Sequence, residues 1–254
     1  MDLIKAKVYD EKSNLFIVEL DKGGLLIPNA YFDCDYLDMF QVKHRVSDVW
    51  RYIVRIENND IKVIELEKCP EIDSRFADRS AVETVGSNVI LLILESPHKD
   101  EYSKNPHNKH ELKPKAPAQG STGTHIKKYL HVVLAKTDLV DGVYHLVIAN
   151  PVQYMCSLGI FNHQIKARNK IRDDVWKAIW DIQDVNKRFV IRDEFLVRYG
   201  LYNPKVTINA CTQLLRGCVT ELLLQNSVTN LYETDHPSIR WNTLKDKIEV
   251  VKIA

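Results

Sequence analysis

The run Val89-Ile90-Leu91-Leu92-Ile93-Leu94, stopped by Glu95-Ser96-Pro97, constrains this chain more than any other segment. A strand with one face in water alternates apolar and polar residues, whereas six consecutive aliphatics bounded by a proline fit a central strand covered on both faces. Three further segments extend the pattern: 144–149 ending in Asn150-Pro151, 205–209, and 227–233. Helical stretches separate them at 123–134, 165–182 and 212–225, the second with Ile171, Val175, Ala178, Ile179 and Ile182 on one face. Strands alternating with helices predict an α/β fold over 88–254, a three-layer domain with a central, mainly parallel sheet.

The first 80 residues read differently, as a β-rich N-terminal module. Segments 3–9 and 14–20 flank a turn at Asp10-Glu11-Lys12-Ser13, and 50–56 faces 61–66 across Glu57-Asn58-Asn59-Asp60, an Asn-rich hairpin signal. A polar connector from Cys69-Pro70 to about Ser87 is expected to link this module to the larger domain. The 254 residues suffice for both parts.

In open α/β sheets the ligand lies beyond the carboxyl ends of the strands. Here those ends carry Glu95-Ser96-Pro97-His98, Asn150-Pro151-Val152-Gln153 and Thr234-Asp235-His236-Pro237-Ser238. Each group also has an ordinary role: an acid beside a helix N-terminus, an Asn-Pro turn, a Ser cap. A carboxylate, an amide and an imidazole on three separate strand ends are together what a catalytic crevice requires.

These residues carry a resemblance. Leu94-Glu95-Ser96-Pro97-His98 resembles the first motif of the uracil-DNA glycosylase superfamily, in its Glu-containing variety. The stretch from Pro117 through Gly120-Ser121-Thr122-Gly123 to His125 is similar to the loop that opens the following helix in that superfamily. Asn150-Pro151 resembles the strand end that reads the base, and His236-Pro237-Ser238 the motif near the C-terminus. The four occur in the family's order, and the resemblance covers about residues 88–254. It implies a monofunctional, metal-independent DNA glycosylase that flips a damaged or modified pyrimidine, or uracil, out of DNA and hydrolyses its N-glycosidic bond. Glu95 and His236 would be catalytic; Asn150, Pro97 and His98 would bind the base. Relatives with a Glu-containing motif often hold an iron–sulfur cluster, but Cys34, Cys69, Cys156, Cys211 and Cys218 form no four-cysteine arrangement of that type, so no cofactor is expected. Relatives stack an aromatic ring on uracil where this chain has Ala118 and Gln119. That departure points to a bulkier modified pyrimidine, such as a modified cytosine in foreign DNA, and to a defence setting. A nucleotide or nucleoside N-glycosidase, and a non-catalytic DNA-binding module, stand as the rival readings.

The chemistry agrees with these roles. Breaking an N-glycosidic bond leaves positive charge on the sugar and negative charge on the base, so the site needs an anion beside one and a donor beside the other. With 35 Lys and Arg against 34 Asp and Glu, the net charge of +1 requires any DNA contact to be local. A local basic excess exists between His98 and Lys128, where Lys109, Lys113 and Lys115 read as a phosphate-binding flap. Gly120, Ser121 and Thr122 could add backbone N–H groups to a phosphate. Ser238, Arg240 and Trp241 follow His236, where an apolar wedge could fill the gap left by a flipped base. His98, His107 and His110 lack partners at a recognisable metal-ligand spacing, so no metal is expected. The longest apolar run is far below the ~20 residues of a membrane span, and residues 1–7 lack the core of a signal peptide. A cytoplasmic monomer acting on DNA is the expectation.

Overall fold

A computed structural model describes residues 3–21, 37–73, 85–86, 88–104, 112–157, 168–241 and 248–254. In chain order its strands are β1 (Leu3–Tyr9), β2 (Leu15–Asp21), β3 (Val49–Glu57), β4 (Asp60–Glu65), β5 (Val89–Ile93), β6 (Tyr102–Lys104), β7 (Leu112–Pro114), β8 (Gly142–Ala149), β9 (Val206–Asn209), β10 (Leu231–Thr234) and β11 (Val250–Lys252). The α-helices are α1 (Gly120–Leu134), α2 (Arg168–Trp180), α3 (Val190–Tyr202) and α4 (Gln213–Gln225). The chain divides into two compact units. One comprises Met1–Val46, Ser96–Lys115 and Val152–Leu196; the other comprises Ser47–Glu95, Ala116–Pro151 and Val197–Ala254.

The second unit holds the sheet expected from the aliphatic runs. Its seven strands lie in the order β11-β10-β9-β5-β8-β3-β4. The four central strands, β10, β9, β5 and β8, are parallel, and antiparallel β11, β3 and β4 close the edges. All five residues of β5 are buried, which answers the six-residue run. Ile90, Leu92 and Leu94 share a core with Ile126, Leu130 and Val133 of α1 and with Leu146, Ile148 and Ile208 of the neighbouring strands. The fold is therefore α/β, a mostly parallel central sheet flanked by helices, with a β-rich N-terminal region.

The boundary expected near residue 80 falls elsewhere. The β3–β4 hairpin turns on Asn58 and Asn59, both left-handed at φ 51° and 65° as a tight hairpin with a right-handed twist demands. It does not form a separate module: β3 pairs along β8 from Val49↔Ile148 to Ile56↔Gly142, extending the main sheet. Part of the expected polar connector is also built in, since Trp50 N–H donates to Pro70 O at 3.1 Å and Ile72 N–H to Asp48 O at 3.0 Å. The strand expected at 227–233 starts later, at Leu231, because Ser227 and Asn230 take left-handed conformations in the turns after α4.

The first unit contains the β1–β2 hairpin, paired from Leu3↔Asp21 to Tyr9↔Leu15. The Asp10 carboxylate accepts from Asn14 N–H at 2.6 Å and from its side-chain amide at 2.7 Å, closing the turn. In α2, Ile171, Val175 and Ile179 are buried as their spacing requires, and Trp176 stacks on Trp180 with centroids 4.9 Å apart. The lysine-rich flap is in part a two-stranded ribbon, with Tyr102 opposite Pro114 and Lys104 opposite Leu112.

Candidate active site at the strand ends

The four parallel strands finish level. Ile93 of β5 is in register with Ala149 of β8 and Asn209 of β9, and Asn209 with Glu233 of β10. Pairing continues one step further, Leu94 N–H donating to Ala149 O and Ala210 N–H to Ile93 O, each at 2.9 Å. At ~4.8 Å per strand, the ends of β8 and β10 are roughly 14 Å apart, with those of β5 and β9 between them. From β5 the chain crosses to β8 on one side and then to β9 on the other, so the reversal lies between β5 and β9, where such sheets open a crevice.

Glu95 sits at that reversal. It is 6% exposed, and its Oε2 accepts from the N–H of Thr212 at 2.9 Å, the residue that precedes α4. The ordinary role of an acid beside a helix N-terminus is thus realised. The same bond fixes the direction of the carboxylate at the end of β5. Cys211 lies alongside, its thiol donating to Leu94 O at 3.1 Å; burial first, and then the Glu95 charge, push that thiol well above its ordinary range and keep it un-ionised.

Asn150, at the adjacent end of β8, is held by its backbone. Its N–H donates to Asp48 Oδ1 at 3.2 Å, while its carbonyl and that of Pro151 both accept from Arg198 Nη2 at 3.1 Å. The side chain is different: Asn150 is 1% exposed, and neither its amide nitrogen nor its amide oxygen has a hydrogen-bond partner among the described residues. An unsatisfied buried polar atom costs about 1–3 kcal/mol. A donor and an acceptor left open at a strand end match a ligand that brings the complementary pair.

His236 follows β10. Ser238 N–H approaches His236 Nδ1 at 3.3 Å, and Ser238 Oγ lies 2.8 Å from the same nitrogen. A backbone N–H can only donate, so Nδ1 accepts and the neutral ring carries its proton on Nε2, which makes Nε2 a donor. The loop is anchored on both sides. Before it, Arg216 Nη1 donates to Thr234 O at 2.7 Å and lies 3.7 Å from the Asp235 carboxylate. After it, Pro237 O accepts from Nδ1 of His125, on α1, at 2.9 Å. In the turn Pro237–Trp241, Ser238, Ile239 and Arg240 are exposed, with Arg240 Nε 3.9 Å from Asp235. Trp241 corrects the expected wedge: it is fully buried in the core with Ile126 and Ile248, and the exposed apolar side chain of this turn is Ile239.

The loop entering α1 is clamped from β3. Arg51 Nη1 donates to Pro117 O at 2.7 Å, and Arg51 also pairs with Glu65 at 3.1 Å. Partial burial pushes Glu65 up, but hydrogen bonds from Lys127 and Arg51 outweigh it and hold its carboxyl below the ordinary range. Ala118 is buried with φ 59°, and Gly120, at φ 64°, begins the helix, followed by Ser121 and Thr122 in its first turn. A Cβ at Gly123 would lie 1.9 Å from Ala118 O, a backbone atom that cannot step aside. Gly123→Ala is expected to cost about 1–3 kcal/mol by overpacking, read as a lower denaturant midpoint at unchanged slope. An unaltered midpoint would show that the loop yields freely.

The remaining expected residues fall in the first unit. Pro97 is buried. His98 is exposed; its N–H donates to Glu101 Oε2 at 3.1 Å and its ring lies 3.5 Å from Asp100, which gives it a local turn role. Lys113 and Lys115 are exposed on and beside β7, and Lys109 lies outside the described residues. Asp48, Arg198, Tyr202, His125 and Arg216 were not singled out from the sequence. His125 ends the quoted loop motif, whereas Asp48 and Arg198 are separated by most of the chain and carry no spacing signal.

Comparison with protein-family models, with curated proteins and with solved structures finds no match to this chain. Among the described residues no helix is long and apolar enough to cross a membrane.

Proposed function

We propose that the protein is a DNA glycosylase that hydrolyses the N-glycosidic bond of a damaged or modified pyrimidine. The observation that carries this reading is the buried Asn150 amide, open at both polar atoms, at the strand end next to the buried Glu95 carboxylate. The amide would pair with the edge of an extruded base, which offers one donor and one acceptor. Glu95 would face the sugar, stabilising its developing positive charge and orienting the attacking water. His236 would donate from Nε2 to the carbonyl oxygen of the departing base. Exposed Ile239 supports a wedge at the vacated base position, flanked by Ser238 and Arg240 for the backbone. The four motifs in family order support the same reading.

The deciding experiment is mass spectrometry of free bases released from oligonucleotides containing uracil, 5-hydroxymethylcytosine or glucosylated hydroxymethylcytosine. Release from DNA, fastest for a modified cytosine, is expected, because buried Ala118 supplies no stacking ring. Release from free nucleosides alone would move the reading to a nucleoside N-glycosidase, and tight DNA binding without any release would leave a binding module.

Lys113 and Lys115 are proposed to meet DNA phosphates. Replacing both with Gln is expected to flatten the slope of log affinity against log salt by about 1.8, at ~0.9 per phosphate contact on duplex DNA, with similar loss across sequences. An unchanged slope would return the ribbon to a solvated surface.

A further inference from the structure

We infer that Asp48, Arg198 and Tyr202 are positioning residues that hold Asn150 aimed at its ligand; the inference rests on the glycosylase reading of the Asn150 site. Asp48 stands just before β3, and Arg198 and Tyr202 are one turn apart on α3. All three are buried, with Asp48 and Arg198 at 0% and 1% exposure. One Asp48 oxygen accepts the Asn150 N–H, while the other accepts from Arg198 Nη1 and from Tyr202 O–H, the latter at 2.8 Å. Arg198 then spans the next two peptides through the carbonyls of Asn150 and Pro151. The donor and acceptor on either side of the Asn150 Cα are thus gripped by opposite ends of one ion pair, which sets the direction of its Cα–Cβ bond.

Such a grip suits a side chain that must stay where it has no partner among the described residues. An Asn with both amide atoms unpaired would lower its free energy by shifting its backbone toward water or toward another polar group. The Asp48–Arg198 pair blocks that shift and so preorganises an amide that a flipped base satisfies. The arrangement is positioning, since neither Asp48 nor Arg198 has to touch the base. A displacement of about 1 Å at a reacting site can cost ~100-fold in rate.

The test uses the full chain, with Arg198→Lys as the charge-conserving variant, Tyr202→Phe as a milder one that keeps the ion pair, and Asn150→Ala. Single-turnover release is measured on the pyrimidine oligonucleotide that the wild type cleaves fastest. Arg198→Lys is expected to lose roughly 10- to 100-fold and Tyr202→Phe less. In the Asn150→Ala background, Arg198→Lys is expected to add less than about a further twofold, because its effect passes through Asn150. Losses that multiply would overturn the inference and leave the pair as plain structural support. A second readout needs no activity: the NMR order parameter of the Asn150 side-chain amide is expected to be high in the wild type and to fall in Tyr202→Phe and Arg198→Lys. An amide equally ordered in both variants overturns the positioning role even if base release is seen. A wild type that releases no base overturns the glycosylase reading, and the amide measurement then decides the positioning role by itself.

Discussion

Glu95→Gln is expected to slow base release by at least ~100-fold in single-turnover assays while leaving DNA affinity nearly intact. The substitution is close to isosteric. A glutamine oxygen can still accept the Thr212 N–H that now bonds Glu95 Oε2 at 2.9 Å, so the orientation at the end of β5 and the entry to α4 are kept. What disappears is the negative charge, and on the proposed reading its value would be concentrated in the transition state, where the sugar carries positive charge that the bound substrate lacks. An interaction made mainly in the transition state lowers the chemical rate without a matching loss of binding. Base release near the wild-type rate would remove Glu95 from the chemistry and leave it as the carboxylate that anchors α4. Affinity falling in step with rate would instead point to a damaged fold, which the melting temperature would reveal.

Features governed by short-range patterns were legible in the sequence. The run ending at Glu95 announces a strand buried on both faces, and β5 is buried at every residue. Asn58-Asn59 announces a hairpin because few residues accept two successive left-handed conformations. Long-range partnerships were not legible. Nothing within β3 says that its free edge pairs with β8 rather than with a strand of its own module, since an antiparallel edge pairing is chosen by register across some ninety residues of chain. Trp241, expected as a surface wedge, lies in the core; one large aromatic in a short turn has no periodicity to give it a face. The site shows the same division. Glu95, Asn150 and His236 stand out because each terminates a strand, whereas Asp48 and Arg198, which grip Asn150, look like two ordinary charged residues until the fold buries them together.

His236→Ala is expected to cost a factor of ~10²–10³ in base release, the usual effect of deleting one preorganised donor aimed at developing negative charge. On the proposed reading its neighbours would prepare the ring for that task. Ser238 gives its backbone N–H to Nδ1, which assigns the proton of the neutral imidazole to Nε2. Its hydroxyl lies 2.8 Å from the same nitrogen. The carbonyl of Pro237 is tied to His125 and that of Thr234 to Arg216, so the donor is carried on a loop fixed at both ends. A donor already oriented needs no reorganisation as the base departs, which is why its loss falls on the rate. His236→Gln, whose amide nitrogen can approach the position of Nε2, is expected to recover part of the loss, while Ser238→Ala removes only the hydroxyl and is expected to cost much less. The ordering Ala below Gln below wild type is the signature of a donor. If Gln is no better than Ala, the ring acts by filling space; if both match the wild type while Glu95→Gln is inactive, the departing base is stabilised by another group, and His236 is the turn residue that its pairing with Ser238 by itself would make it.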